Sequence, residues 1–581
     1  MNKDFTCLFA GEAGYGVMSA GSTLAKAAGR NGLWAFVVNE YPSLIKGGLN
    51  TCLVRLAASP LQAHEESLDF FAGLSQEGLE QNYSRLKPGA ALLVDTAIKV
   101  ESSRLPSDVR VYLLPLIQKG SGDVAKIMSN SAMLGAFCAI SGFPLELVET
   151  VLAGEFKPEV FAKNRELLRA AFELAAEQAV VASFPLPVGA NPAQKMLING
   201  NDAISMGAIQ AGCKFAAGYP MTPGSSVLTY LADHGPQFGL VFKQAEDEIA
   251  AMNMLIGAGY AGVRAIGSTS GGGFALMVEA LGFAGLAEVP VVMVNAQRGG
   301  PSTGQPTRTA QADLAFVINS SQGEFPRIVL AVGDVEECFV ETFRAFNLAE
   351  KYQIPVIILT DKYLADSSVT HPFFNTNGLT IERGKLADET WLAANRPYKR
   401  YEFTDDGVSV RAVPGMAGGR HIATSYTHGE DGFYSSGNRE YAATEPEITV
   451  KALDKLFAKE PHILAELPAV KLHGPETADL TLVAWGSTKG AALEAMELAK
   501  AAGLSVNLLQ VLYMSPFPAA AVEAVLGKAK HTLLLEGNKT AQLGALIRMH
   551  TGIYIDDNYL KYDSRAFTPS LILEKIKEVL A

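Results

Sequence analysis

Short β-branched apolar runs alternate with Ala- and Leu-rich stretches of helical period along most of the 581 residues. That alternation predicts an α/β chain with mostly parallel sheets. Leu8-Phe9-Ala10, leading through Gly11 into Val17–Arg30, reads as strand, turn and helix. Residues 91–95 and 111–114 read as further strands, and 131–140 and 167–182 as helices. A second set of strand candidates lies at 264–266, 291–294 and 356–359, and a third at 480–484, 505–509 and 532–535. Three prolines and a glycine within 184–194 predict a linker. The pattern thus divides the chain into domains at 1–183, 195–370 and 479–581. Between the last two, 371–478 opens on a stretch rich in Gly, Asn, Thr and Asp, and reads as an irregular connecting arm.

Charge and cysteines narrow the function. The net charge is −12, which argues against nucleic acid as a partner, because phosphate binding needs clustered cations. No apolar run reaches the ~18 residues of a membrane helix. The start, Met1-Asn2-Lys3-Asp4, lacks a signal-peptide pattern, so the expected location is the cytoplasm. The five cysteines, Cys7, Cys52, Cys138, Cys213 and Cys338, form no CxxC pair. They suggest neither a disulfide framework nor a local metal-ligand set, so any redox cluster is expected on another chain.

Six stretches carry candidate chemistry. Gly11-Glu12-Ala13-Gly14-Tyr15-Gly16 joins a strand to a helix, where backbone N–H groups and the helix dipole favour an anion. A tight βα turn explains it equally well, since its GxxGxG spacing matches neither the dinucleotide nor the Walker pattern. Tyr41-Pro42-Ser43-Leu44-Ile45-Lys46-Gly47-Gly48 presents a cation beside open backbone. In Tyr219-Pro220-Met221-Thr222-Pro223, two prolines stiffen the chain around a hydroxyl. Gln244-Ala245-Glu246-Asp247-Glu248 precedes an apolar helix. Three first-turn acids would suit its dipole, but Glu248 points into the apolar stretch and there needs a partner such as a ligand nitrogen. Ser268-Thr269-Ser270-Gly271-Gly272-Gly273 offers a second close backbone approach. Arg298, at the end of an apolar strand, suits bidentate capture of a carboxylate.

Together these stretches resemble the 2-oxoacid:ferredoxin oxidoreductases, in the form whose α subunit carries an N-terminal γ-type domain. The resemblance covers nearly the whole chain. The Gly11 loop and Ile45-Lys46-Gly47-Gly48 match the γ-type domain. Gly200-Asn201-Asp202-Ala203, Tyr219–Pro223, Gln244–Glu248, Gln297–Gly304 and Lys561-Tyr562-Asp563 match the rest in order and spacing. The sequence departs from the pattern at Met221 (usually Ile), Gly224 (commonly Ser) and Gly272 (commonly Pro). His428-Gly429-Glu430-Asp431 is an imperfect copy of an acidic family stretch.

The resemblance implies a γ-type domain, a thiamine diphosphate pyrimidine-binding domain and a transketolase C-terminal-like domain. It implies oxidative decarboxylation of a 2-oxoacid with coenzyme A, electrons passing to ferredoxin. The family's glutamate bonds N1′ of the aminopyrimidine and stands nine residues before a Gly-Ala. Counting back from Gly257 gives Glu248. Thr222, Tyr219, Pro220 and Ser270 would line the cofactor, and Arg298 would take the substrate carboxylate. Lys46, Gly47 and Gly48 would guard the coenzyme A side. The chain has no Gly-Asp-Gly diphosphate signature. The diphosphate half, Mg2+ and a [4Fe-4S] cluster are therefore expected on a β subunit, in an (αβ)2 assembly. The fused form points to the 2-oxoglutarate branch, yielding succinyl-CoA; the same site run in reverse would fix CO2. Pyruvate and branched-chain oxoacids are the alternative substrates, with the cation for a distal carboxylate on the partner or supplied by Lys46. A non-redox thiamine transferase and a non-catalytic scaffold are the rival functions.

Overall fold

A computed structural model describes residues 4–44, 47–117, 123–178, 184–189, 195–436, 444–468 and 470–581. The chain forms two compact units. The first comprises Met1–Asn199, Asp366–Phe374 and Thr568–Glu574, and the second the remainder.

The first unit is built on an eight-stranded mixed sheet. Strand Asp4–Glu12 pairs parallel with Leu68–Gly73 and antiparallel with Leu49–Ala57. Helix Val17–Arg30 follows the first strand, as its apolar period predicts. It packs closely because small residues face the sheet. A Cβ at Gly21 would lie 2.1 Å from Cys52 Sγ, so only glycine fits. Phe137, in helix Asp123–Ser141, meets Phe5, Phe9 and Phe70 edge-on, with ring centroids 6.3, 5.7 and 4.8 Å away. Such contacts add to simple area burial.

Several expectations need correction here. The helix expected over 167–182 starts earlier and spans Pro158–Ala176, because Pro158 occupies its first turn, where its missing N–H costs nothing. Within the expected linker, Leu186 is buried and Phe184 meets Phe5 and Phe143, so residues 184–189 join the first core, while 190–194 lie outside the described residues. Strand Ser368–His371, at the end of the expected second domain 195–370, belongs instead to the first unit's sheet and lies between Trp34–Glu40 and Met196–Ile198.

The second unit holds two sheets. The seven-stranded one is parallel apart from one edge strand, with Ala265–Thr269, Val291–Gln297 and Pro355–Asp361 at its centre. Their near-continuous apolar character suits strands covered on both faces. The five-stranded sheet centres on Leu480–Ala484, flanked by Val506–Gln510 and Thr532–Glu536. One strand crosses between them: Tyr513–Ser515 pairs antiparallel with Ile328–Ala331 and closes an edge of the larger sheet.

The expected arm is irregular over 375–388 and again over 395–436, as its composition predicts, but it also holds the helices Glu389–Ala394, Glu445–Phe457 and Lys459–Glu466. Buried ion pairs anchor it. Glu350 meets Arg264 (2.8 Å), Arg383 (2.6 Å) and Arg411 (2.9 Å). Glu288 meets Lys455 (2.5 Å) and Lys459 (2.7 Å). No helix among the described residues is long and apolar enough to cross a membrane.

Candidate active site

Parallel sheets place their loops, and hence their chemistry, at the carboxyl ends of the strands. In the seven-stranded sheet three such ends converge. Strand Phe215–Gly218 leads into Tyr219–Pro223, Ala265–Thr269 into Ser270–Gly273, and Val291–Gln297 into Arg298.

The three acids of the Gln244 stretch separate into three roles. Glu246 is exposed. Asp247 caps helix Glu248–Tyr260, accepting from Ala250 N at 2.7 Å. Glu248 opens the helix and is only 3% exposed. Its Oε1 is buried and has no hydrogen-bond partner. A Cβ at Gly273 would lie 2.5 Å from that oxygen, so the glycine is what leaves room for it. Ser270 stands at the N-cap of helix Gly271–Leu286 but makes no cap bond, and its Oγ is likewise buried and unpartnered. Buried polar atoms without partners are costly. Two of them, on either side of the Gly271–Gly273 turn, fit a polar heterocycle whose ring nitrogens and amino group would satisfy them.

Arg298 Nη1 donates to the carbonyl of Thr222 at 2.6 Å, which brings two expected site residues together. Burial lowers the guanidinium's pKa, and Asp313 opposes that shift. Tyr219 and Pro220 are exposed beside them. Two departures from the family pattern face each other: a Cβ at Gly272 would lie 3.9 Å from Met221 Sδ. The longer methionine thus reaches toward the space a proline ring would occupy. The third departure is also accounted for, because a Cβ at Gly224 would lie 2.5 Å from Thr269 O. Ser564, next to Lys561-Tyr562-Asp563, borders the Arg298 loop; a Cβ at Gly299 would lie 3.2 Å from its Oγ.

Sequence reasoning missed Asp313 and Asn295. Asp313 precedes helix Leu314–Ile318 and looks like an N-cap, yet makes no cap bond. Its carboxylate instead accepts from Asn295 Nδ2 at 3.1 Å and lies against Gly271. Burial raises its pKa, against the pull of Asn295 and Arg298. A buried asparagine inside the run Val291-Val292-Met293-Val294-Asn295 was the available signal.

In the first unit, Gly47 and Gly48 have φ of 76° and 85°, and Ala13 N donates to Gly48 O at 3.0 Å. The two glycine loops singled out in the sequence therefore touch. Lys46 lies outside the described residues. Among the described residues no group of three or more His, Cys, Asp or Glu side chains could hold a metal ion.

Comparison with known proteins adds three kinds of similarity. Residues 206–445 match the family described as pyruvate flavodoxin/ferredoxin oxidoreductase, thiamine diphosphate-binding. Residues 6–174 match pyruvate ferredoxin/flavodoxin oxidoreductase, and 478–558 match core domain II of pyruvate:ferredoxin oxidoreductase. A 2-oxoacid:ferredoxin oxidoreductase subunit alpha of Saccharolobus solfataricus is 32% identical over 99% of this chain and 97% of its own. The 2-oxoglutarate synthase subunit KorA of Methanothermobacter thermautotrophicus is 33% identical over 66% of this chain and 98% of its own. Among solved structures, a 2-oxoglutarate:ferredoxin oxidoreductase from Magnetococcus marinus, with 2-oxoglutarate, coenzyme A and succinyl-CoA bound, is 35% identical. It superposes with a TM-score of 0.91 over all of both chains.

Proposed function

This chain belongs to the 2-oxoacid:ferredoxin oxidoreductases, as an α subunit, and we propose that its substrate is 2-oxoglutarate. With coenzyme A the products are succinyl-CoA and CO2, and the electrons pass to ferredoxin. The thiamine diphosphate-binding domain is part of this chain. Bound thiamine diphosphate supplies the electron sink for breaking the bond between the carboxylate and the oxo carbon.

The residues of this chain hold and orient. Glu248 exchanges a proton with ring nitrogen N1′ of the pyrimidine; its buried, unpartnered Oε1 is the observation that carries this reading. Ser270 bonds the same ring system, with Tyr219 and Pro220 alongside. Arg298 spends one nitrogen on Thr222 O and holds the substrate carboxylate with the rest of its guanidinium. Because loss of CO2 discharges that carboxylate, Arg298 orients it and then loses its partner. The Thr222 hydroxyl faces the reacting end, and Lys46, Gly47 and Gly48 serve the coenzyme A side. A β subunit provides the diphosphate and Mg2+ site and a [4Fe-4S] cluster, in an (αβ)2 assembly. The choice of 2-oxoglutarate is supported by full-length similarity to the Magnetococcus enzyme, whose structure holds that acid.

The test is reduction of a low-potential dye by the complex with its partner chain. 2-Oxoglutarate, pyruvate and 2-oxoisovalerate are compared, each with and without coenzyme A. CoA-dependent reduction by 2-oxoglutarate alone is expected. Reduction by pyruvate or 2-oxoisovalerate instead would overturn the substrate and keep the chemistry.

A further inference from the structure

Three successive carbonyl oxygens in the turn that carries Thr222 are each taken by a side chain from a different element. Arg298 Nη1, just past strand Val291–Gln297, donates to Thr222 O at 2.6 Å. Asn201 Nδ2, in helix Gly200–Gln210, donates to Pro223 O at 2.7 Å. Ser268 Oγ, in strand Ala265–Thr269, donates to Gly224 O at 2.9 Å. The second hydrogen of Asn201 Nδ2 reaches Ser226 Oγ at 2.6 Å, where helix Ser225–His234 begins. Asn201 and Ser268 are fully buried.

Pro223 and Gly224 are buried and Thr222 half-buried, so these carbonyls lie where partners other than bulk water are needed. Loops ordinarily satisfy their carbonyls with water or local backbone. Here the donors come from a helix and two neighbouring strands, the rigid parts of the fold. Side chains rooted in such elements hold a site more closely than a loop holds itself. Gly224 has no side chain to separate the turn from the sheet, so its backbone lies directly on strand Ala265–Thr269. Thr222 is therefore fixed through its own carbonyl and through the two residues that follow it.

We propose that Asn201 and Ser268 are positioning residues that aim the Thr222 side chain, completing a three-point clamp whose third member is Arg298. The inference rests on the reading of Thr222 as a group that faces the reacting centre. Misplacement by an ångström costs a well-oriented site up to about a hundredfold in rate. The effect should fall on turnover, with the fold left intact.

The test compares Ser268→Ala, Ser268→Thr, Asn201→Asp and Thr222→Val in the complex with its partner chain. Ser268→Ala is expected to lower kcat by about tenfold to a hundredfold, with little change in KM or melting temperature; Asn201→Asp, which sets an oxygen against the buried Pro223 carbonyl, should lower kcat as well and is assayed where its melt shows it folded. Ser268→Thr keeps the hydroxyl and should restore most of the rate. Hydrogen exchange on the cofactor-free complex gives a readout independent of turnover. The amides of Thr222, Gly224, Ser225 and Ser226 should exchange faster in Ser268→Ala and Asn201→Asp, while strand Val291–Gln297 keeps its protection. Equal kcat for Ser268→Ala and Ser268→Thr would overturn the proposal. So would a rate loss that tracks the melting temperature. If Asn201→Asp does not assemble, the Ser268 pair decides. If Thr222→Val turns over at the full rate, the reading of Thr222 falls and this proposal with it. If Thr222→Val is slow but the Ser268 and Asn201 variants are not, the clamp alone is wrong.

Discussion

Glu248 is a buried carboxylate with an oxygen that has no hydrogen-bond partner among the described residues. Its replacement by glutamine keeps the shape and removes the exchangeable proton. Glu248→Gln is expected to lower kcat by about 10² to 10⁴, the range for lost acid–base assistance, with an unchanged melting temperature. Steady-state dye reduction beside a thermal melt checks both halves. Met221 and Gly272 form a second residue-scale pair, since a Cβ at Gly272 would lie 3.9 Å from Met221 Sδ. Met221→Ile alone leaves a gap and Gly272→Pro alone crowds the methionine, whereas the double variant restores the family pattern. A double-mutant cycle on kcat/KM should give a coupling of about 0.5–3 kcal/mol, as residues in contact do. At this scale the sequence was informative about burial: the apolar stretch after Glu248 predicts a buried carboxylate at the head of a helix, and the structure buries it there. The sequence was silent on Asp313 because a lone acid before a short helix reads as a cap. Only the fold reveals that the carboxylate turns instead to Asn295.

Helices and strands explain where the buried charges sit. Helix Val335–Tyr352 carries Glu337, Glu341 and Glu350 on its buried side, and each has cationic or phenolic partners from elsewhere in the unit. Glu350 shares its carboxylate among three guanidiniums, two from the irregular stretch after 375. Glu350→Ala leaves Arg264 and Arg411 buried without their acid. It should destabilise the second unit by about 3–5 kcal/mol, the cost of breaking a buried pair, read by chemical denaturation. Glu337 gives a pH signature. Burial alone would push its carboxyl up, but Lys489 and Lys471 pull it down to about 2. An unfolded glutamate titrates near ~4.3, so between those values the unfolded chain binds the extra proton. Stability from this group is therefore complete above the unfolded pKa and is lost as pH falls toward 2. Glu337→Gln should flatten that part of the acid denaturation curve; an unchanged slope would contradict the assignment. None of these clusters was legible in the sequence. Their members lie 33 to 172 positions apart along the chain, and single Lys, Arg and Glu residues read as solvated.

For the whole chain, hydrophobic periodicity located some strands of each sheet, because buried parallel strands announce themselves as short β-branched runs, but it passed over others, among them Trp34–Glu40, Leu49–Ala57 and Leu68–Gly73 in the first unit. It was less informative on boundaries. The helix expected from 167 opens at Pro158, and Phe184, the first residue of the expected linker, enters a core. Nor could it foresee that residues near 370 return to the first unit, since strand pairing at long range leaves no local trace. The strand Tyr513–Ser515 has a similar origin and a larger consequence. An open sheet edge is a template for unwanted pairing, and here the edge Ile328–Ala331 is covered by a strand from a later part of the chain. The thiamine-binding segment expressed alone, as residues 195–478, would expose that row of unpaired amides and is expected to self-associate more than the longer piece 195–581, since both pieces leave strand Ser368–His371 equally without its partner Trp34–Glu40. Light scattering on the two fragments distinguishes them. In evolutionary terms, a gene fission that separates the two sheets must also invent a new way to shield the edge, so this strand acts as a stitch that discourages the split.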